Sequence, residues 1–158
     1  MIALVNARSI INKSFLLNDI IKSKNLDFMF ITETWQRTNE HAPIIELCPP
    51  DYSFLSLPRT SGRGGGLAAV FKNMFPCRMV NTGSFSSFEL QMIKIGQSDP
   101  FYAILVYRPP GPNSCFLTDF SDFLSSILKL SKFILLGDFN IHIDDVSDKF
   151  VSDFLSIT

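Results

Sequence analysis

The sequence predicts an α/β domain, and three observations carry that prediction. Residues 2–31 run apolar, amphipathic and apolar again, which reads as a strand, a crossover helix and a second strand. The same order returns over residues 101–136. Between these stretches lie short segments suited to antiparallel strands.

The first strand covers 2–5 and ends in Asn6-Ala7-Arg8-Ser9, so a buried strand delivers Asn6 and Arg8 to its C-terminal end. Asn12 is positioned to cap the helix that follows, in which Phe15, Leu16, Leu17, Ile20 and Ile21 recur at helical spacing. Lys22 and Lys24 lie in its last turn, where cations suit the helix dipole. Phe28-Met29-Phe30-Ile31 is a second buried strand, running into Thr32-Glu33-Thr34-Trp35. Residues 36–50 are polar, then Pro-rich, and read as a surface loop; 52–57 alternates weakly, as a strand would. The basic, glycine-rich stretch from Arg59 to Gly66 follows. It fits either a hairpin loop or a loop whose bare N–H groups approach a phosphate, and its spacing is not that of a Walker-type loop.

Residues 67–71 are apolar, and 77–80 and 88–95 read as consecutive antiparallel strands. In the second, Phe88, Leu90 and Met92 alternate with Glu89 and Gln91, as expected when one face is wetter. The apolar strand 101–107 stops at Tyr107-Arg108-Pro109-Pro110, because proline cannot continue a ladder. Phe116, Leu117, Phe120, Phe123, Leu124, Ile127 and Leu128 mark an amphipathic helix. The apolar run that follows, 133–136, reads as a strand buried on both faces and ends in Gly137-Asp138-Phe139-Asn140. Gly137 would let the backbone turn there, and Asp138 and Asn140, two apart in an extended segment, would point to one side. Asp and Asn also simply make the turn after many strands. Residues 150–155 begin a last helix.

At 158 residues the chain fits one domain, 1–158, with a proper core, and 46% hydrophobic against 18% charged residues excludes a disordered tail. A formal charge of −1 gives no global basic footprint, so contacts to nucleic acid must come from local Arg and Lys. Cys48, Cys77 and Cys115 are an odd number without ligand-like spacing, expected as buried thiols in a reducing compartment. No apolar run approaches the length that spans a bilayer, and the N-terminus lacks a signal-peptide pattern. The expectation is an intracellular protein, of nucleus or cytoplasm, with no membrane and no obligate protein partner.

Several of these strands end in a residue suited to phosphate chemistry: Asn6, Glu33, Tyr107, and Asp138 with Asn140. The ordered set Asn6-Ala7-Arg8-Ser9, Glu33-Thr34-Trp35, Arg59 through Gly66, Tyr107-Arg108-Pro109-Pro110 and Gly137-Asp138-Phe139-Asn140 resembles the endonuclease/exonuclease/phosphatase superfamily. Within it, Glu-Thr-Trp, the Gly-Gly-Gly loop and Tyr-Arg-Pro-Pro are most similar to the endonuclease domain of non-LTR (LINE-type) retrotransposons. The resemblance implies a two-sheet α/β sandwich of the deoxyribonuclease I type and phosphodiester hydrolysis with Mg²⁺ or Mn²⁺. It implies that Glu33 binds the metal and Asn6 shares its shell. Oxygen ligands of this kind suit a hard cation that keeps several waters. Asp138 would orient or deprotonate the attacking water, Asn140 would contact the scissile phosphate, and Tyr107 would stabilise the charged transition state or leaving group.

Members of that family continue beyond the Gly-Asp-x-Asn strand to a Ser-Asp-His-type motif, whereas this sequence ends at Thr158 without it. The expectation is therefore a sandwich lacking its C-terminal strands, incomplete as a domain. His142 and His41 do not match the missing motif. On the leading reading the chain is a DNA-nicking endonuclease of retrotransposon type, impaired by truncation. Arg8, Arg59, Arg63 and Arg108 would then meet the phosphates of double-stranded DNA, or else be ordinary surface charge. A second reading is a catalytically inactive relic or a weak nucleic-acid-binding fragment of the same fold. A third keeps the fold and makes the substrate a lipid or inositol phosphate.

Overall fold

A computed structural model describes residues 1–59, 64–145 and 147–158. The chain order is β1 (Ile2–Asn6), α1 (Ser14–Ser23), β2 (Phe28–Thr32), α2 (Ala42–Leu47), β3 (Tyr52–Leu57), β4 (Leu67–Lys72), β5 (Cys77–Val80), β6 (Glu89–Ile95), β7 (Phe101–Tyr107), α3 (Phe116–Ile127), β8 (Phe133–Asp138) and α4 (Lys149–Ile157). These strands form two four-stranded mixed sheets, ordered β1-β2-β4-β3 and β5-β6-β7-β8. The expected opening crossover is present, with β1 parallel to β2 across α1, and a second one sets β7 parallel to β8 across α3. The sheets face one another, with β1 opposite β8, β2 opposite β7 and β4 opposite β6. This is the predicted two-sheet α/β sandwich.

Three apolar layers follow from strand alternation. In β2, Phe28 and Phe30 point between the sheets, where they meet Leu67, Phe71, Ile93, Leu105 and Tyr107. Met29 and Ile31 point the other way, onto Leu17 and Ile21 of α1 and Ile44 and Leu47 of α2. The outer face of the second sheet is covered by α3 and α4, whose Phe116, Phe120, Phe123 and Phe154 pack on Phe88, Ile104 and Val106. Most of the chain's sixteen phenylalanines serve these layers, largely as ring-on-ring contacts in the third.

Several expectations need correction. Residues 36–50 are not all loop: Pro43 sits in the first turn of α2, where its missing N–H costs nothing, and Ile44 and Leu47 are fully buried one turn apart. Asn12 does not cap α1; Lys13 stands at that position without a side-chain cap, and Phe15 and Leu16 face solvent. Neither β1 nor β8 is buried on both faces. Each is the outermost strand of its sheet, so Ile2, Leu4 and Phe133 stay substantially exposed. The wetter face expected of β6 is the inner one: Glu89 and Gln91 point between the sheets, and Gln91, fully buried, donates from Nε2 to the Leu55 carbonyl at 3.1 Å. Among the described residues, no helix is long and apolar enough to cross a membrane.

The cysteines divide in a way that can be tested. Burial raises the Cys48 thiol and pushes Cys77 up to about 11, while Cys115 is exposed rather than buried as expected. A maleimide at about pH 8 is expected to label Cys115 first and the half-buried other two more slowly, since the thiolate is the nucleophile. Equal labelling rates read by mass spectrometry would contradict this packing.

Candidate active site

The two parallel pairs bring four strand ends to one rim of the sandwich. There the Asn6 side-chain amide donates from Nδ2 to Glu33 Oε1 at 2.8 Å and to Asp138 Oδ2 at 2.5 Å. The Tyr107 hydroxyl donates to the same Glu33 Oε1 at 3.0 Å. Two carboxylates thus share one amide nitrogen, although Asn6 and Asp138 come from opposite ends of the chain. A cleft of about 680 Å³ opens beside them, lined in part by Asn6, Thr32, Asp138, Asn140 and His142.

The backbone around this cluster is held in unusual conformations. Of the non-glycine residues with positive φ among those described, all but Asn25 lie here: Arg8 (44°), Ser9 (80°), Glu33 (53°), Trp35 (54°) and Asn140 (49°). Left-handed backbone at such residues costs about 1–3 kcal/mol each unless neighbours enforce it, and such strain clusters at functional sites. The neighbours are visible. Ser9 N–H bonds the Glu33 carbonyl at 2.8 Å and Ile10 N–H the Thr34 carbonyl at 3.1 Å. From the other side Thr34 N–H bonds Gly66 O at 3.1 Å and Trp35 N–H bonds Gly65 O at 2.9 Å.

Asp138 and Asn140 do not share a side through extended alternation. The strand stops at Asp138, and an Asx turn follows in which Asp138 Oδ1 accepts from Asn140 N–H at 3.1 Å. Asn140 is exposed and spends one amide hydrogen on the Arg108 carbonyl at 2.6 Å, leaving its second donor for another partner. Gly137 does not make the turn either. It lies inside β8, where a Cβ would fall 2.5 Å from the Val106 carbonyl oxygen. Its role is close approach of β8 to β7. Gly137→Ala is expected to wedge the pair apart at a cost of about 1–3 kcal/mol, seen as a lower midpoint in urea unfolding. An unchanged midpoint would show that the strands yield freely.

The arginines part company. Arg8 is exposed at the rim. Arg59 is half-buried, with Nε 3.3 Å from Glu89 Oε1. Arg63 lies outside the described residues. The expectation of a phosphate contact at Arg108 is overturned: this side chain is only 5% exposed. Its Nη1 and Nη2 donate to the carbonyls of Phe139 (3.1 Å) and Gly111 (2.8 Å). The guanidinium also lies over the rings of Phe116 and Phe150, 5.1 and 5.0 Å from their centroids. It ties the Tyr-Arg-Pro-Pro turn to the Gly-Asp-x-Asn turn, and burial lowers its pKa.

The electrostatics keep the tyrosine a donor. Burial, the hydrogen bond to Glu33 and the charges of Glu33, Glu89 and Asp138 all raise the Tyr107 pKa far above its usual value. Glu89, overlooked in the sequence, stands directly beside Tyr107 in the β6–β7 register. Its carboxyl is also raised, because burial outweighs the opposing pull of the Gly66 N–H and Arg59, and Glu33 adds to the rise. Only the register, invisible in one chain, could have pointed to it. Lys13 was also missed; its Nζ donates to the Ala7 and Arg8 carbonyls and secures the turn that carries Arg8.

Among the described residues, no cluster of three or more His, Cys, Asp or Glu could hold a metal. The donor set does fit a hard divalent cation, which takes one or two carboxylates and keeps its remaining positions for water. Glu33 supplies a carboxylate, the Asn6 amide supplies an oxygen if it rotates, and Asp138 stands beside them through the same amide.

A family model described as "Endonuclease/Exonuclease/phosphatase family" matches residues 6–154. No curated protein matches. Among solved structures, truncated Caenorhabditis elegans TDP2 is similar with 17% identity, a TM-score of 0.56 and coverage of 90% of this chain and 61% of that one. The AP endonuclease LMAP of Leishmania major gives 16%, 0.68, 91% and 55%. A mannosyl-6-phosphatase of Bacteroides thetaiotaomicron gives 15%, 0.64, 98% and 69%. At such identities the likeness is one of fold. This chain spans 61% of the length of the TDP2 structure and 55% of the AP endonuclease.

Proposed function

We propose that this chain, which belongs to the endonuclease/exonuclease/phosphatase family, hydrolyses phosphodiesters with a divalent metal ion and that its substrate is DNA, nicked as by a LINE-type retrotransposon endonuclease. The observation that carries the reading is the shared Asn6 amide, 2.8 Å from Glu33 and 2.5 Å from Asp138. Hydrolysis needs a charge-neutralising group and a proton acceptor within a few ångströms of one phosphate; Asp138 is the acceptor, and Glu33 with Asn6 would hold the cation that neutralises charge. The family resemblance implies a divalent metal. Bound between Glu33 and Asn6, Mg²⁺ or Mn²⁺ would polarise a phosphate oxygen and offset the charge built up in the attack.

The other roles belong to the chain's own groups. Asp138 orients the attacking water and takes its proton. Tyr107 stays protonated and, once its single O–H swings from Glu33, donates toward the developing negative charge, as does the free amide hydrogen of Asn140. Arg8, exposed beside them, meets the backbone of the strand. The retrotransposon assignment rests on Glu33-Thr34-Trp35, the Gly64–Gly66 turn and Tyr107-Arg108-Pro109-Pro110. All three motifs have structural work at this rim.

Supercoiled plasmid incubated with the chain and Mg²⁺ or Mn²⁺ is expected to convert to open circles, and EDTA to stop the conversion. Failure of both ions to support nicking above a Glu33→Ala, Asp138→Ala control would overturn the reading. Release of phosphate from an inositol phosphate in its place would transfer the site to phosphomonoesters.

A further inference from the structure

We propose that Glu89 is a positioning residue, which pins the Gly64–Gly66 turn against the Glu33–Trp35 segment and so fixes Glu33 for its ion; the metal half of this inference rests on the function proposed above. Glu89 reaches the rim from the inner face of β6. Its Oε2 accepts the Gly66 N–H at 2.6 Å, and its Oε1 faces Arg59 at 3.3 Å. The turn so held then holds the site: the Gly66 and Gly65 carbonyls accept the N–H groups of Thr34 and Trp35. Those two residues flank or share the left-handed backbone that aims the Glu33 carboxylate at Asn6 and Tyr107.

The fit leaves no slack. A Cβ on Gly65 would sit 2.2 Å from Glu89 Oε1, and one on Gly66 would sit 2.5 Å from Thr34 Oγ1. Both glycines also have positive φ, 71° and 85°. Only bare backbone can pass between Glu89 and Thr34. Gly65 and Gly66 are therefore required by this packing as well as by any approach to phosphate. A carboxylate in this position is costly, since it is largely desolvated and has Glu33 nearby, and the Gly66 N–H and Arg59 offset that cost.

Trp35 is the sole tryptophan, stands two residues from Glu33, and packs its indole against Gly64. Its fluorescence reports the turn directly, without substrate or turnover. In the folded chain, judged by far-UV circular dichroism, Glu89→Ala is expected to raise acrylamide quenching of Trp35 toward that of a free indole. The dissociation constant for Mn²⁺, counted as free ion by electron paramagnetic resonance, is expected to rise about tenfold, as when a residue supporting a metal ligand is lost. Glu89→Gln keeps an oxygen for the Gly66 N–H and is expected to stay near wild type in quenching. Gly65→Ala attacks the contact from the other side and is expected to reproduce Glu89→Ala, which keeps the test open if that variant does not fold.

Wild-type quenching in both Glu89→Ala and Gly65→Ala would overturn the pinning. Altered quenching with unchanged Mn²⁺ affinity would overturn the link to Glu33. Mn²⁺ binding absent from wild type, or undiminished in Glu33→Ala, would instead count against the proposed function, while quenching still decides the pinning.

Discussion

Glu33→Gln and Asp138→Asn are each expected to lower Mg²⁺-dependent plasmid nicking by about 10²–10³-fold or more, because the first removes the charged ligand for the ion and the second the carboxylate that takes the water's proton. Both substitutions preserve volume. The amide that replaces the Glu33 carboxylate would still accept from Tyr107, and the one that replaces the Asp138 carboxylate could still meet Asn6. The folded structure should therefore survive, and the loss should fall on kcat rather than on the unfolding midpoint. Glu33→Gln also has a readout that needs no substrate. The Glu33 charge is one of the causes that raise Tyr107, so neutralising it moves that phenol down toward its ordinary range, while burial, the first cause, and a hydrogen bond to the amide remain. The Tyr107 absorbance transition in an alkaline titration should therefore begin at lower pH than in wild type. Nicking that survives either substitution within a few-fold would remove these carboxylates from the chemistry.

Phe120→Ala is expected to cost about 3–5 kcal/mol of stability, the usual range for deleting a buried ring, and to lower the melting temperature by on the order of 10 °C. The ring is fully buried. It stacks on Phe116 at 5.3 Å and on Phe154 at 5.8 Å, and meets Phe88 and Phe139 edge-on at 5.9 and 5.3 Å. No single neighbour can refill that space without breaking its own contacts, so a cavity persists. Phe139 follows Asp138 directly, so its loosened ring should also blunt the site, visible as reduced nicking well below the melting point. Phe15→Ala, on the exposed face of α1, is the control and should change stability by less than about 0.5 kcal/mol. Equal midpoints for the two variants would refute the packing of the outer layer.

Much of the fold was legible because its signals are local. Proline after Tyr107, turn residues before Tyr52 and helical spacing from Phe116 each act within a few residues, and the strands and helix they bound formed where expected. Properties set by what lies across a gap were not legible. The apolar run 133–136 looks the same whether a strand is central or outermost, and here β8 is outermost. A helix as short as α2 has too few periodic positions to stand out from a polar loop, although Ile44 and Leu47 carry it. Arg108 has the composition of a phosphate contact, but the Phe139 carbonyl and the Phe116 and Phe150 rings that claim it come from three other segments. Of the residues proposed for catalysis, Asn6, Glu33, Tyr107 and Asp138 meet, because each ends a strand and parallel pairing brings those ends to one rim. Asn140 reaches the same cleft by a different route, through a turn rather than through alternation.

The contact between Asn6 and Asp138 joins residues 132 positions apart. Closing so long a loop carries an entropic penalty that no local contact repays in advance, and topologies rich in such closures acquire their native state slowly. The helices and hairpins can form early, each from its own neighbourhood, while the two carboxylates still drift separately. Assembly of the candidate site is thus a late event in the folding of this polypeptide, arriving only when the first strand and the eighth have found each other.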